Sequence, residues 1–591
     1  MNRLPFQSLV VAACLAAVLT QVSPSQADAP AVYQPAGAPA DPKVPARWNY
    51  YRDYAQATGL LKQIAAAHPE WCRLQSLGRS YGGRELWVMT ITDQSGDQAA
   101  EDARPGFWID GGIHANEVQA VDVVLYTAWY LAETAGRSDF TTRLLRERVI
   151  YLMPMMSPDS RDAHMQEPNT THSPRGGQMP VDDDRDGLFD EDPPEDMDGD
   201  GSITSMRIVD PHGDYIAHDK YPGRVMRIDP DAPPAAGVTR YRLLGPEGYD
   251  NDGDGRVNED GDGYYDPNRD WAWQWQPAYV QRGAYRYPFS IKANRLVADF
   301  ITAHPNIAGG QSYHNTGGMI LRGPGSRSDR WPREDIAVFD RLAERGEQML
   351  PGYKYLETGT GLYEVWGGEH DWLFAMRGVF AFTNELNTPF NLFRQQSGGG
   401  PIGSAEDRYK FDRLLLFGDG YADWTPVDHP QYGSIEVGGQ KKTWGRQPPS
   451  FMLEEECHRN MAFTLLHADE GPLVEVDSVD VQPLGRGLRQ VTATIVNRRL
   501  TPTRARHDVA NGITPPDRVE LSGAEVVTAM TSRTMLFDRA TEVTRQPTAV
   551  RLDSVPGKSA VYVRWLVTGG GPIEVTVRSV KGGTASKAGG E

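Results

Sequence analysis

Cysteine is almost absent from this chain, with three in 591 residues. Neither Cys72 nor Cys457 belongs to a C-x-x-C pair, which excludes a cysteine-rich zinc site. Cys14 falls in a leader-like segment. The two that remain allow one disulfide or two buried thiols, not a disulfide scaffold. Long apolar runs are missing as well: no internal stretch supplies the ~20 apolar residues that a membrane-spanning helix needs. Basic blocks are missing too, which excludes nucleic acid as an expected partner. The net charge of −19 is local rather than general. Residues 182–200 hold eleven Asp or Glu against one Arg, and residues 247–270 hold nine against two. These stretches carry −17 between them, so the rest of the chain is nearly neutral.

Such a length exceeds what one hydrophobic core serves, so two or more domains are expected. Residues 1–27 read as a secretory signal: Arg3, the short apolar core Leu9–Leu19, and Ser25-Gln26-Ala27 as a cleavage site. Export to the periplasm or the extracellular space follows as an expectation, without a transmembrane segment in the mature chain. Val11-Ala12-Ala13-Cys14 also fits a lipobox, but the apolar run continues past Cys14, which favours ordinary cleavage. Residues 28–46, rich in Ala and Pro, read as a linker. From there the pattern alternates. Helical periodicity covers 50–67, 118–135, 290–303, 336–349 and 453–466, and short apolar runs at 86–92, 107–110 and 149–154 read as strands. This predicts an α/β domain over 47–470 with a mixed, largely parallel sheet flanked by helices. Beyond about 470, period-two alternation at 474–481, 490–496 and 561–567 predicts a small all-β sandwich over 471–580. The Gly-, Ser-, Lys- and Ala-rich residues 581–591 read as a disordered tail.

The chemistry-bearing signal is His114-Ala-Asn-Glu117, directly after the apolar run Phe107-Trp108-Ile109. An imidazole and a carboxylate three residues apart on a turn can face one metal ion. The pair alone is common by chance, but it sits where a buried strand meets a helix, at the edge where sites in α/β sheets lie. Downstream come Asn268-Arg269-Asp270-Trp271, Ser312-Tyr313-His314, Tyr363 with Gly367-Gly368 and Asp371-Trp372, and Phe382-Thr383-Asn384-Glu385-Leu386. In this order, over roughly residues 45–470, the chain resembles the zinc metallocarboxypeptidases of the carboxypeptidase A type. The most specific stretch is Y-x-x-x-G-G-x-x-D-W from Tyr363 to Trp372.

The resemblance implies zinc held by His114, Glu117 and His314. It implies hydrolysis of peptides by water activated there, with Glu385 as general base. It makes Asn268 and Arg269 the pair that holds a free C-terminal carboxylate, and Tyr363 the mobile residue that closes over it. It places an oxyanion-stabilising arginine between Glu117 and Asn268. Arg207 takes that assignment, with Arg175 as competitor. Side-chain preference is read partly at His370, which is neither apolar nor acidic and leaves specificity open. The expected substrates are peptides with a free C-terminal carboxylate, cell-wall muropeptides being the alternative.

The acidic stretches form an insertion at about 176–265 with three repeats of alternating carboxylates: Asp182-x-Asp184-x-Asp186-Gly, Asp196-x-Asp198-x-Asp200-Gly and Asp250-x-Asp252-x-Asp254-Gly. Oxygen ligands with a Gly at the turn suit calcium, although none of the three completes an EF-hand. The loops also admit a non-catalytic calcium-dependent binding protein, against which the full His114, Glu117, His314 and Glu385 set stands. Gly78-Arg-Ser80-Tyr-Gly82 fits G-x-S-x-G, but a strand follows where a nucleophile elbow needs a helix.

Overall fold

In the computed structural model, residues 36–96, 101–182, 185–221, 223–261 and 265–590 are described. The leader-like segment, Cys14 and Asp184 therefore lie outside the described residues. From Lys43 onward the chain is one compact unit. Val44 and Trp48 are buried in its core, so the expected linker ends earlier than 46.

An eight-stranded sheet organises the first domain. Its four central strands, Val149–Met153, Gly106–Gly111, Ile307–Asn315 and Phe380–Leu386, run parallel. The first three are buried at every position, as strands covered on both faces must be. Glu85–Ile91 and Met319–Arg322 pair antiparallel on either side, and Cys72–Arg79 and Lys354–Glu357 form the edges. One face packs against the helices Tyr54–Ala67, Val118–Thr134 and Leu453–Asp469 through Leu60, Ile64, Val124, Leu131 and Met461. The other packs against Lys292–Ala303 and Glu369–Arg377 through Val297, Ile301 and Leu373. The first helix begins at Tyr54 rather than Tyr50 because Asp53 and Gln56 close a capping box. Cys72 and Cys457 are both buried and free, so they are two thiols and not a disulfide.

The acidic insertion is not a set of free loops. Ser205–Val209, Tyr215–Ala217, Val225–Arg227 and Arg240–Pro246 join the later hairpin Tyr421–His429 and Gly433–Gln440 in a six-stranded accessory sheet. Periodicity did not mark these strands, because they are short and half exposed.

The C-terminal region is all-β as expected, with a five-stranded and a four-stranded sheet around Val491, Val519, Val563 and Trp565. It does not end at 580. Gly583–Ala588 is a strand paired with Glu574–Ser579, which corrects the disordered tail. Ladder hydrogen bonds override the weak strand propensity of Gly, Ser and Lys. Lys581 anchors that end: it is 2% exposed, and its Nζ donates to the carbonyls of Arg377 and Gly378 in the first domain. Arg148 makes the reciprocal contact, donating to the carbonyls of Gly471 and Pro472.

Candidate metal centre

Strand register assembles the site. Glu385 lies opposite His314 on adjacent parallel strands, and Thr383 opposite Ser312 one pleat below. Side chains two apart share a face of a strand, so His314 and Glu385 reach the same end of the sheet. The turn from Gly111 to Glu117 leaves the neighbouring strand at that end, and Glu117 is the residue from which helix Val118–Thr134 departs.

His114, Glu117 and His314 converge, all buried. His114 Nδ1 is 3.1 Å from Glu117 Oε1, His314 Nδ1 is 3.0 Å from Glu117 Oε2, and the two Nδ1 atoms are 3.1 Å apart. His114 Nε2 meets Asp266 Oδ1 at 2.8 Å. A proton on Nε2 satisfies that contact and leaves Nδ1 a lone pair. His314 has no such partner at Nε2 among the described residues, so with both imidazoles neutral at most one proton lies among the three facing groups. A cation resolves that conflict, and a histidine–histidine–glutamate set with a fourth position open fits zinc. Asp266 went unassigned in the sequence. It meets His114 Nε2 as carboxylates behind metal-binding histidines do, and the signal was its position two residues before Asn268.

Charge is tightly interlocked here. Arg175 donates to Glu117 Oε1 at 2.7 Å and lies 3.7 Å from Asp266. Burial opposes ionisation of Glu117, but His114, Arg175 and His314 overcome it and hold the carboxyl well below the usual range. For Asp266, burial is likewise overcome by Arg269, His114 and Arg175. Glu385 differs: burial and the neighbouring Glu117 push its carboxyl up to about 7, the range where a group both takes and returns a proton.

Asn268 and Arg269 sit beside the centre, both largely buried. Asn268 Oδ1 accepts from the Glu369 amide at 2.9 Å, and Arg269 is 3.6 Å from Asp266. Tyr363 is 47% exposed. His370 is buried against Thr383 and Thr358, and burial drives its imidazole down to about 3, so it is neutral.

Arg207 is not at this site. It lies on the accessory sheet, stacked between Tyr241 and Trp424 at 4.1 and 4.0 Å and paired with Glu436 at 2.8 Å. Its competitor Arg175 occupies the position expected for it, brought there by the bond from the Ala115 amide to the Arg175 carbonyl. Arg446, which nothing in the sequence singled out, also reaches Glu117 Oε1, at 3.3 Å. Ser80 is engaged in a turn, donating to Asp159 at 2.7 Å.

The acidic loops gather elsewhere. Residues 182–192 and 250–260 repeat one pattern, D-x-D-x-D-G-x-x-D/N-E-D, and pair across a pseudo-twofold. Asp192 bridges Asp260. The Asp190 amide donates to Asp260 Oδ2 at 3.2 Å, and the Asn258 amide to Asp192 Oδ2 at 2.9 Å. Carboxylates converge as Asp186, Glu191 and Asp252, as Asp192, Asp252 and Glu259, as Asp196, Asp198 and Asp200, and as Asp250, Asp252 and Asp254. Asp182 lies in the repeat but in none of these groups.

A family model described as zinc carboxypeptidase matches residues 58–185 and 248–397, and one described only as a domain of unknown function matches 473–588. Carboxypeptidase D of Mus musculus is 39% identical over 99 residues, 17% of this chain and 7% of that protein. A zinc carboxypeptidase of Saccharothrix mutabilis subsp. capreolus is 27% identical over 124 residues, 20% of this chain and 28% of that protein. The chain thus spans less than a third of the length of these relatives. Among solved structures, thrombin activatable fibrinolysis inhibitor superposes with a TM-score of 0.42 at 16% identity, covering 71% of this chain and 74% of that one.

Proposed function

Through residues 58–185 and 248–397 the chain belongs to the zinc carboxypeptidase family, and from that premise we propose that it is an exported metallocarboxypeptidase that removes C-terminal amino acids from peptides. The observation that carries this reading is the convergence of His114 Nδ1, His314 Nδ1 and the Glu117 carboxylate, with Glu385 in register beside His314. Zinc, when bound, supplies a Lewis acid that acidifies water and polarises a scissile carbonyl. The side chains divide the remaining work. Arg269 and Asn268 hold the terminal carboxylate, which makes the enzyme an exopeptidase. Arg175 stabilises negative charge on the former carbonyl oxygen. Glu385 takes the water proton as the C–O bond forms and delivers it to the amine as the C–N bond breaks. Tyr363 closes over the substrate end.

Calcium belongs to the same reading as a structural cofactor. Its support is the pairing of the two repeats, which brings carboxylates of both loops to common points, while the carboxylate oxygens of Glu191 and Glu259 are shielded from solvent with no hydrogen-bond donor among the described residues. Export rests on the composition of residues 1–27.

The test is release of C-terminal residues from a mixed peptide panel, with murein peptides as a parallel set, by wild type and Glu385→Gln with zinc content determined. Wild type is expected to trim the panel, and the variant to keep zinc and lose roughly 10³-fold in kcat. Trimming of murein peptides alone moves the substrate to the cell wall. Zinc binding without turnover of either set overturns the peptidase reading.

A further inference from the structure

Arg446 reaches the metal centre from outside both stretches matched by the family model. It lies in the loop between the accessory-sheet strand Gly433–Gln440 and helix Leu453–Asp469. That loop is stitched to the catalytic strands. The Arg446 carbonyl accepts from Asn315 Nδ2 at 3.2 Å and from Asn387 Nδ2 at 3.0 Å, next to His314 and two residues past Glu385. Its side chain donates to the Asn315 carbonyl at 2.8 Å and to Glu117 Oε1 at 3.3 Å. A second nitrogen meets His172 Nδ1 at 3.2 Å. The Nε is buried and reaches no acceptor among the described residues, a state that costs free energy unless a ligand completes it.

The order of charges shows where such a ligand belongs. Arg269, Asp266, Arg175, Glu117 and Arg446 form one alternating chain, with successive contacts of 3.6, 3.7, 2.7 and 3.3 Å. Arg269 stands at the end that takes the terminal carboxylate, and Arg175 beside the metal ligands. Arg446 ends the chain opposite Arg269, so a peptide with its terminal carboxylate at Arg269 and its scissile bond at the metal ligands would meet Arg446 with the residue preceding that bond.

Resting on the metallocarboxypeptidase reading, we propose that Arg446 is a specificity residue that binds a carboxylate on the residue preceding the scissile bond, so that substrates with an acidic penultimate residue are preferred. That carboxylate is the side chain of an ordinary glutamate or aspartate, or the α-carboxylate of a glutamate joined through its γ-carboxyl.

Binding is measured by calorimetry on the zinc-loaded Glu385→Gln protein with the pairs acetyl-Ala-Glu-X and acetyl-Ala-Gln-X, where X is Phe, Lys or Ala, and with a γ-linked glutamyl counterpart. The glutamyl peptide is expected to bind roughly tenfold more tightly than the glutaminyl one. Adding Arg446→Gln is expected to bring that ratio to about one, and Arg446→Lys to keep part of it. The tighter of the two glutamyl linkages identifies the source of the carboxylate. Equal binding of both members of every pair, no binding of any, or equal weakening of both by Arg446→Gln overturns the proposal and leaves Arg446 as a support for Glu117. Turnover of the same peptides by wild type is read separately. Cleavage without discrimination removes only the role of Arg446, whereas discrimination in binding without cleavage removes the peptidase reading and keeps the carboxylate site.

Discussion

The metal centre and the acidic repeats are both built from carboxylates gathered in space, and they solve opposite problems. At the centre the carboxylates of Glu117 and Asp266 each have cations or donors beside them: Glu117 has Arg175 and Arg446, and Asp266 has Arg269 and His114. The protein's own charges are nearly complete, so the geometry is held before any ligand arrives. In the repeats, carboxylates face carboxylates, and most of the hydrogen bonds they accept come from backbone amides of their own loops, such as Gly253 and Gly255 to Asp250. Those amides shape the loops without cancelling their charge. One region is preorganised by counter-charge, and the other is shaped by the amides of its own loops.

The contrast can be broken at both ends. The largest effect is expected at the two arginines the sequence left in competition. Arg175→Gln should lower kcat by roughly 10²–10³-fold, the cost of losing a donor aimed at developing charge. Arg207→Gln should leave kcat in place and lower Tm, because Arg207 is held between two aromatic rings of the accessory sheet. Equal losses of kcat in the two variants would reinstate Arg207. Next comes Asp266→Asn, expected to weaken zinc binding by roughly 10–100-fold because a neutral amide replaces the carboxylate charge behind His114, as read by competition with a chelator. An unchanged affinity would reduce Asp266 to a structural cap.

The smallest and most condition-dependent effect belongs to the repeats. Burial and the adjacent carboxylates push Glu191 and Glu259 up to about 7 in the ion-free protein. The folded state then binds more protons than the unfolded chain between about pH 4.5 and 7, so the ion-free protein loses stability as pH rises through that window. Calcium must displace those protons, which makes its binding tighter above pH 7 and weaker below. The increase in Tm on replacing chelator with calcium should therefore be larger at pH 7.5 than at pH 5.5. A rise that is the same at both pH values, or no rise at either, counts against ion binding by these groups.

What could be read in the sequence follows the same division. Residues contiguous in a motif were legible: His114 with Glu117, and Tyr363 through Trp372 with Glu385 at a fixed offset. The central strands were legible because full burial makes them continuously apolar. Contacts made by folding were not. Arg175 and Arg207 are both plausible in one dimension, and only the bond from Ala115 to the Arg175 carbonyl decides between them. Arg446 comes from a loop with no motif, and its approach depends on two asparagine side chains far away in sequence. The final strand was misread because Gly583–Ala588 carries no apolar pattern, and its partner strand supplies the order that composition withholds. The accessory sheet escaped for the same reason, since its strands at 205–246 find partners at 421–440.

The Asp192–Asp260 bridge has a consequence for a chain so poor in cysteine. It closes the neck of the segment between residues 193 and 259, the topological position where a secreted protein often places a disulfide. A cross-link there restricts the opened segment in proportion to the logarithm of its length. A covalent link would be set once, by the redox state in which the protein folded. A clasp made of two mirrored carboxylate loops involves no covalent bond, so its strength is expected to follow the acidity of the surroundings and, on the calcium reading, the cation activity, while the accessory sheet keeps the rest of the insertion in place.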